Sequence, residues 1–191
     1  MGKGRLEAFS DGVIAIIITI MVLELKAPRG TDFSALRPVI PVFLNYVLSF
    51  VYVGIYWNNH HHMIHTAARV NGRILWANLH LLFWLSLIPF ATNWIGENHF
   101  APVSVAFYGF IMLMAGVSYS ILSAAIIALH GSSSTLAMAV GKNYKGNASL
   151  VIYAIAIPLA FLRPWISLAL YVLVALMWFI PDPRIEKVIT N

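Results

Sequence analysis

Cysteine is absent from this 191-residue chain, which excludes disulfides and thiolate metal sites and leaves the redox compartment unmarked. Charge is scarce as well. Asp, Glu, Lys and Arg make up 10% of residues, and apolar residues make up 60%. An average soluble domain is about a quarter charged, so water is not the solvent for most of this surface. The twelve Lys and Arg residues give a net charge of +5, yet they are scattered over loop positions and form no basic tract. That distribution argues against nucleic acid as a partner and for membrane topology signals. No small-residue cleavage site follows the first apolar run, and Glu7 and Asp11 interrupt its start. The N-terminus is therefore expected to be a membrane span rather than a cleavable signal peptide.

What is present is a series of long apolar runs. Proline and glycine punctuation divides them into six expected spans, at about 9–25, 38–57, 74–94, 102–129, 148–162 and 165–180. They form one expected domain over 1–191, all-α, with the lipid bilayer as its surroundings. With the N-terminus inside, Lys3, Arg5, Arg69, Arg73, Lys142, Lys145, Arg184 and Lys187 share the cytoplasmic side. Lys26, Arg29, Arg37 and Arg163 lie opposite. Eight against four predicts cytoplasmic termini by the positive-inside rule. Trp57, Trp76, Trp94 and Trp165 fall near expected span ends, where an aromatic belt belongs.

Asp11 is the most informative single residue. It stands two residues into an apolar run that continues from Val13 to Leu23 with Thr19 as the only polar side chain. A carboxylate there is costly unless it faces protein or water, so it marks a functional or structural site. On a helical wheel, Gly12, Ile16, Thr19 and Leu23 share one stripe, and Asp11, Ala15, Ile18 and Val22 share a neighbouring one. Spacing alone gives Ile16 and Leu23 a plain reading as lipid or core contacts, and Thr19 a plain reading as a hydroxyl bonded to its own helix.

The segment Arg5-xxx-Phe9-Ser10-Asp11 carries the RxxxFSD signature and resembles the endosomal and lysosomal potassium-channel family, in its short prokaryotic form. The second span, Tyr52-Val-Gly54-Ile-Tyr56-Trp57 running into histidines, is similar to that family. So is the third, with Trp76-Ala-Asn78 leading to Ser86-Leu-Ile-Pro89-Phe90. The resemblance implies a six-span unit that assembles as a homotetramer around a central pore in the inner membrane of a prokaryotic cell, carrying K+ passively. It implies a pore lined by the first helix, with Ile16 as the constriction, Thr19 as a hydroxyl ring contacting ions and Leu23 as a second apolar layer. These three lie on the one stripe read from the wheel. The family lacks a carbonyl filter, and no Thr-Val-Gly-Tyr-Gly segment occurs in this chain.

Arg5, Phe9, Ser10 and Asp11 are then expected to be structural supports. Asp11 is expected to accept hydrogen bonds from polar groups on the next two spans, the candidates being His60, His61, Trp76, Asn78 and His80, with Arg5 placed to neutralise it. Two other functions compete. A proton- or ion-coupled transporter would use Asp11, but it would also want titratable groups at the midplane of later spans, which the fourth to sixth spans lack. A membrane metalloenzyme would use the His60-His61-His62-xx-His65 cluster, but it would need further histidine boxes. The expectation is a channel, with no enzyme activity, cofactor or metal.

Overall fold

A computed structural model describes residues 2–28, 30–140 and 143–179. The described residues are helical, with connecting turns. Helix α1 covers Lys3–Leu23, α2 Ile40–His65, α3 Gly72–Ser86, α4 Ile88–Glu97, α5 Pro102–His130, α6 Thr135–Val140, α7 Tyr144–Leu162 and α8 Pro164–Phe179. A 3-10 turn at Phe33–Leu36 leads into α2. Arg29, Lys142, Arg184 and Lys187, assigned to loops above, lie outside the described residues.

Local chemistry sets the helix starts. Pro102 and Pro164 open α5 and α8, where a missing N–H costs nothing. Asn71 and Asn143 cap α3 and α7 by accepting from Ile74 N and Gly146 N, each at 3.0 Å. Caps explain why two helices begin earlier than apolar patterning predicts, α3 at Gly72 and α7 at Tyr144. The histidine tail expected after Trp57 is helical, because α2 continues to His65. Trp57 therefore sits more than two turns inside α2 and not at the end of the helix.

The expected third span is broken. Pro89 offers no N–H, and the chain turns at Leu87, whose N–H reaches Trp84 O at 3.3 Å. Together α3 and α4 remain long and apolar enough to cross a bilayer, as do α1, α2, α5 and α7. The sixteen-residue α8 is shorter.

Helix α5 is the hub. It packs on α3, α4, α7 and α8, whereas α1 packs on α2, α3 and α4. Four tyrosines seal the centre. Tyr108 and Tyr171 have ring centroids 5.7 Å apart, Tyr153 and Tyr171 6.1 Å, and Tyr52 and Tyr153 6.5 Å. Their hydroxyls bond across helices, as buried tyrosines must: Tyr52 donates to Tyr171 O, and Tyr171 donates to Val105 O at 3.1 Å. Gly109 makes this crossing possible. A Cβ there would lie 2.0 Å from Tyr171 Oη and 2.8 Å from its Cζ. Gly109→Ala should therefore push α8 from α5 and destabilise the fold by about 1–3 kcal/mol, as overpacked sites do. A lowered thermal midpoint of the detergent-solubilised protein checks this. An unchanged midpoint would mean that the contact yields freely.

Candidate functional site: the first helix and its anchors

Helix α1 presents two opposite faces. Leu6, Ser10, Ile14, Ile17 and Met21 recur at helical spacing and are buried, none more than 3% exposed. On the other side Gly12 and Thr19 are exposed, Ile16 is 58% exposed and Leu23 80%. Among the described residues, that stripe is left largely uncovered. The Thr19 hydroxyl donates to Ile16 O at 2.9 Å, so its oxygen keeps its lone pairs outward as acceptors.

The buried face is fixed by a directional chain of hydrogen bonds. Ser10 Oγ donates to Leu6 O at 2.9 Å and accepts from Asn78 Nδ2 at 3.0 Å. Because the Asn78 amide donates there, its oxygen must accept, and His60 Nε2 lies 2.7 Å from it. His60 therefore carries its proton on Nε2, and its buried Nδ1 has no partner. Ser10, Asn78 and His60 are each no more than 1% exposed. The chain joins α1, α3 and α2 in one plane of the bundle. In a bilayer such bonds supply the orientation that apolar contact cannot.

A second set of contacts runs down the α1–α2 seam. Lys3 Nζ donates to His65 O at 2.6 Å, Glu7 Oε1 lies 3.4 Å from His61 Nδ1, and Trp57 Nε1 donates to Asp11 Oδ1 at 3.0 Å. The partners step by four residues up one helix and down the other, so each rung lies one turn above the last. This ladder corrects the expected partners of Asp11. Trp57 holds it, and Trp57 was not among the candidates. His60 and Asn78 serve Ser10 instead, and His61 serves Glu7. His80 turns to α5, within 3.1 Å of Ser118 Oγ, and accepts from Trp84 Nε1 at 3.0 Å. Trp76 is 75% exposed. Arg5 is exposed and forms no ion pair with Asp11 among the described residues. The signal was present in the sequence: Lys3, Glu7 and Asp11 repeat at i, i+4, and so do Trp57, His61 and His65.

At the opposite end, Lys26 pairs with Glu97 at the end of α4. The Glu97 carboxylate raises the Lys26 pKa, through their hydrogen bond first and their charge attraction second. Both side chains are largely exposed, so the pair tethers the loop only weakly and is screened by salt. Beside the bare stripe, α1 and the α3–α4 break leave an open groove flanked by Ile16, Ile20, Phe90 and Asn93, with Glu24 at its rim. The histidines do not converge: among the described residues no three His, Asp or Glu side chains form a metal-sized cluster.

The hydrogen-bond chain generates two expectations. Asn78→Leu strands His60 Nε2 in the core and should cost about 1–3 kcal/mol, the penalty of an unsatisfied buried polar group. Asp11→Asn keeps an acceptor for Trp57, whereas Asp11→Ala removes it. Ala should therefore harm folding or assembly more than Asn, and more than either harms ion preference. Size-exclusion profiles and thermal midpoints of the purified variants check both. An intact assembly with altered ion preference would place Asp11 in the conduction path.

Residues 5–89, the stretch that holds the anchors and the bare stripe, match the family described as endosomal/lysosomal potassium channel TMEM175. A protein of Chryseobacterium sp. (strain P1-3) named as a potassium channel is 57% identical over 187 residues, covering 98% of this chain and 97% of that one. The crystal structure of a lysosomal potassium-selective channel TMEM175 homologue from Chamaesiphon minutus superposes with a TM-score of 0.76. It is 28% identical and covers 92% of this chain and 95% of that one. The human endosomal/lysosomal proton channel TMEM175 is 38% identical over 73 residues, which is 32% of this chain but 14% of the human protein. A bacterial relative matched over nearly its full length, with the same fold in a solved homologue, leaves one assignment: the chain belongs to the TMEM175 family of channels.

Proposed function

We propose that the protein is a potassium-permeable channel of the prokaryotic inner membrane, passing K+ passively through a pore lined by α1 from four copies. The carrying observation is the bare stripe of α1. It is anchored from behind by Ser10 and Asp11, and one copy cannot enclose a conduit with it, so the pore site is incomplete without partner copies. The whole chain, 1–191, forms one six-span unit in this reading, α8 being the sixth span, and its termini are cytoplasmic. The bacterial relatives' names support K+ as the ion, and the protein is a channel and not an enzyme.

Ile16 and Leu23 form two apolar rings that gate by dewetting, since a narrow apolar neck cannot hold an ion's water. Thr19, one turn past Ile16, offers oxygens to a partly dehydrated cation between the rings. Its hydroxyl proton is already donated to Ile16 O, so toward the pore it acts as acceptor, which favours a cation over an anion. Flexible hydroxyls select less sharply than a carbonyl cage, so modest K+ over Na+ preference follows. Glu24, exposed just beyond Leu23, adds negative charge at the outer mouth. A coupled transporter working through Asp11 has less support, because Trp57 holds that carboxylate on the α1–α2 seam.

The test is reconstitution into liposomes with a K+ gradient, read by a potential-sensitive dye and, in parallel, by a pH dye that registers protons. Uncoupled K+ flux is expected. No K+ flux, or flux tied to a fixed ion stoichiometry, would overturn the reading. Within the same assay Ile16→Ala should raise flux and lower K+ over Na+ discrimination by widening the neck. Ile17, buried at 3%, belongs to the inner face of α1. Ile17→Ala should instead cost stability, about 2–5 kcal/mol for a core truncation, with permeation retained. The reverse pattern would move the pore to another helix.

A further inference from the structure

One surface lies outside everything derived for the pore. The turn between α2 and α3 carries Arg69, and the first turn of α3 carries Arg73, both exposed. Among the described residues neither has an acidic partner, the ion pairs being Lys26–Glu97 and His61–Glu7. The turn is held firmly. His130, at the end of α5, accepts from both Ala68 N and Arg69 N at 3.1 Å through Nε2, and its Nδ1 lies 2.9 Å from Ile126 O. The Arg69 backbone is therefore fixed before any ligand arrives, so less conformational freedom is lost on binding.

From this turn an exposed stripe runs up α3 through Arg73, Trp76, Leu79 and Phe83, spaced three or four residues apart, with Trp76 75% exposed, Leu79 41% and Phe83 54%. Its chemistry is graded along the membrane normal: two guanidinium groups, then an indole one turn deeper, then apolar side chains. A phospholipid has the same grading, with phosphate outermost, then the glycerol interface that suits an indole, then acyl chain. Guanidinium matches phosphate oxygens in bidentate geometry. We propose that Arg69, Arg73 and Trp76 form a site for the headgroup of an anionic phospholipid in the leaflet on the N-terminal side. Its acyl chain lies along Leu79 and Phe83. The neighbouring Lys3–His65 rung ties this turn to the base of α1, so the occupied site braces the end of the pore helix.

The experiment uses the full-length protein in nanodiscs of equal phosphatidylglycerol and phosphatidylcholine, with retained lipids counted by native mass spectrometry. The wild type should be enriched in phosphatidylglycerol. R69Q and R73Q should each lower that enrichment about five-fold, the worth of one basic residue near an anionic surface. R163Q, an exposed arginine on the far side, should leave it unchanged. Wild-type protein with no enrichment overturns the proposal, and so does enrichment that survives R69Q/R73Q. Because the chain has no native cysteine, W76C offers a clean second readout. It should stay uncrosslinked under oxidation, and efficient disulfide-linked dimers would show that a second copy of the chain, not lipid, covers this face.

Discussion

The structure depends on holding one helix by one side only. In hydrocarbon, apolar side chains gain little by leaving lipid for protein, so a helix as apolar as α1 has no strong preference for which face it buries. The preference comes from a few directional bonds. Ser10 is the pivot: its hydroxyl is satisfied by Leu6 O and Asn78 together, and only one rotation of α1 permits both. Once that rotation is set, Ile14, Ile17 and Met21 must point inward, and Gly12, Ile16, Thr19 and Leu23 must remain outside. The bare stripe is thus a consequence of the anchor rather than a separate design.

The remainder of the bundle supplies the wall against which that anchor works. Asn78 can reach Ser10 only if α3 is itself fixed, and α3 is fixed by α5. On α5, the Gly109 crossing and the linked tyrosines lock α8 and α2 in turn. Toward the other end of the bundle a second polar knot does for α2 and α4 what Ser10 does for α1. Thr92 donates to Ile88 O and touches Ser49 at 2.7 Å, Ser49 meets Tyr108 at 3.1 Å, and Asn45 donates to Thr92 O at 2.8 Å. Each knot is short-ranged and fully inside the protein, where a low dielectric strengthens it.

Much of this was legible in the sequence, unevenly and for physical reasons. The stripes of α1 could be read because a helix has a fixed angular period, and the structure leaves Ile16 and Leu23 outside and Ile17 inside. Span positions followed from hydropathy, but their ends did not. The polar histidine tail of α2 and the capped starts of α3 and α7 are helical because of tertiary and cap bonds that hydropathy ignores. Pro89 also breaks the third span, because it offers no N–H to a continuing helix, an effect hydropathy does not register. Partner choice was least legible. Composition alone points Asp11 to the polar residues of spans two and three, whereas the seam pairs residues by register. The i, i+4 repeats of Lys3-Glu7-Asp11 and Trp57-His61-His65 would have pointed to Trp57.

The ladder also explains why an aspartate is tolerated so near the start of an apolar span. A carboxylate in hydrocarbon without partners is expensive. Asp11 instead lies on the seam, bonded to an indole N–H, one turn above a Glu7–His61 contact and two turns above the Lys3 ammonium. The carboxylate is therefore the deepest member of a polar seam and does not stand alone in hydrocarbon. The motif divides accordingly. Ser10 and Asp11 are satisfied inside the protomer, by Asn78 and Trp57. Arg5 is exposed and Phe9 is 49% exposed, on sides of α1 that the described residues leave open. Two motif residues orient α1 from within, and two are offered to whatever surrounds it. A signature that only stabilised one protomer would bury all four.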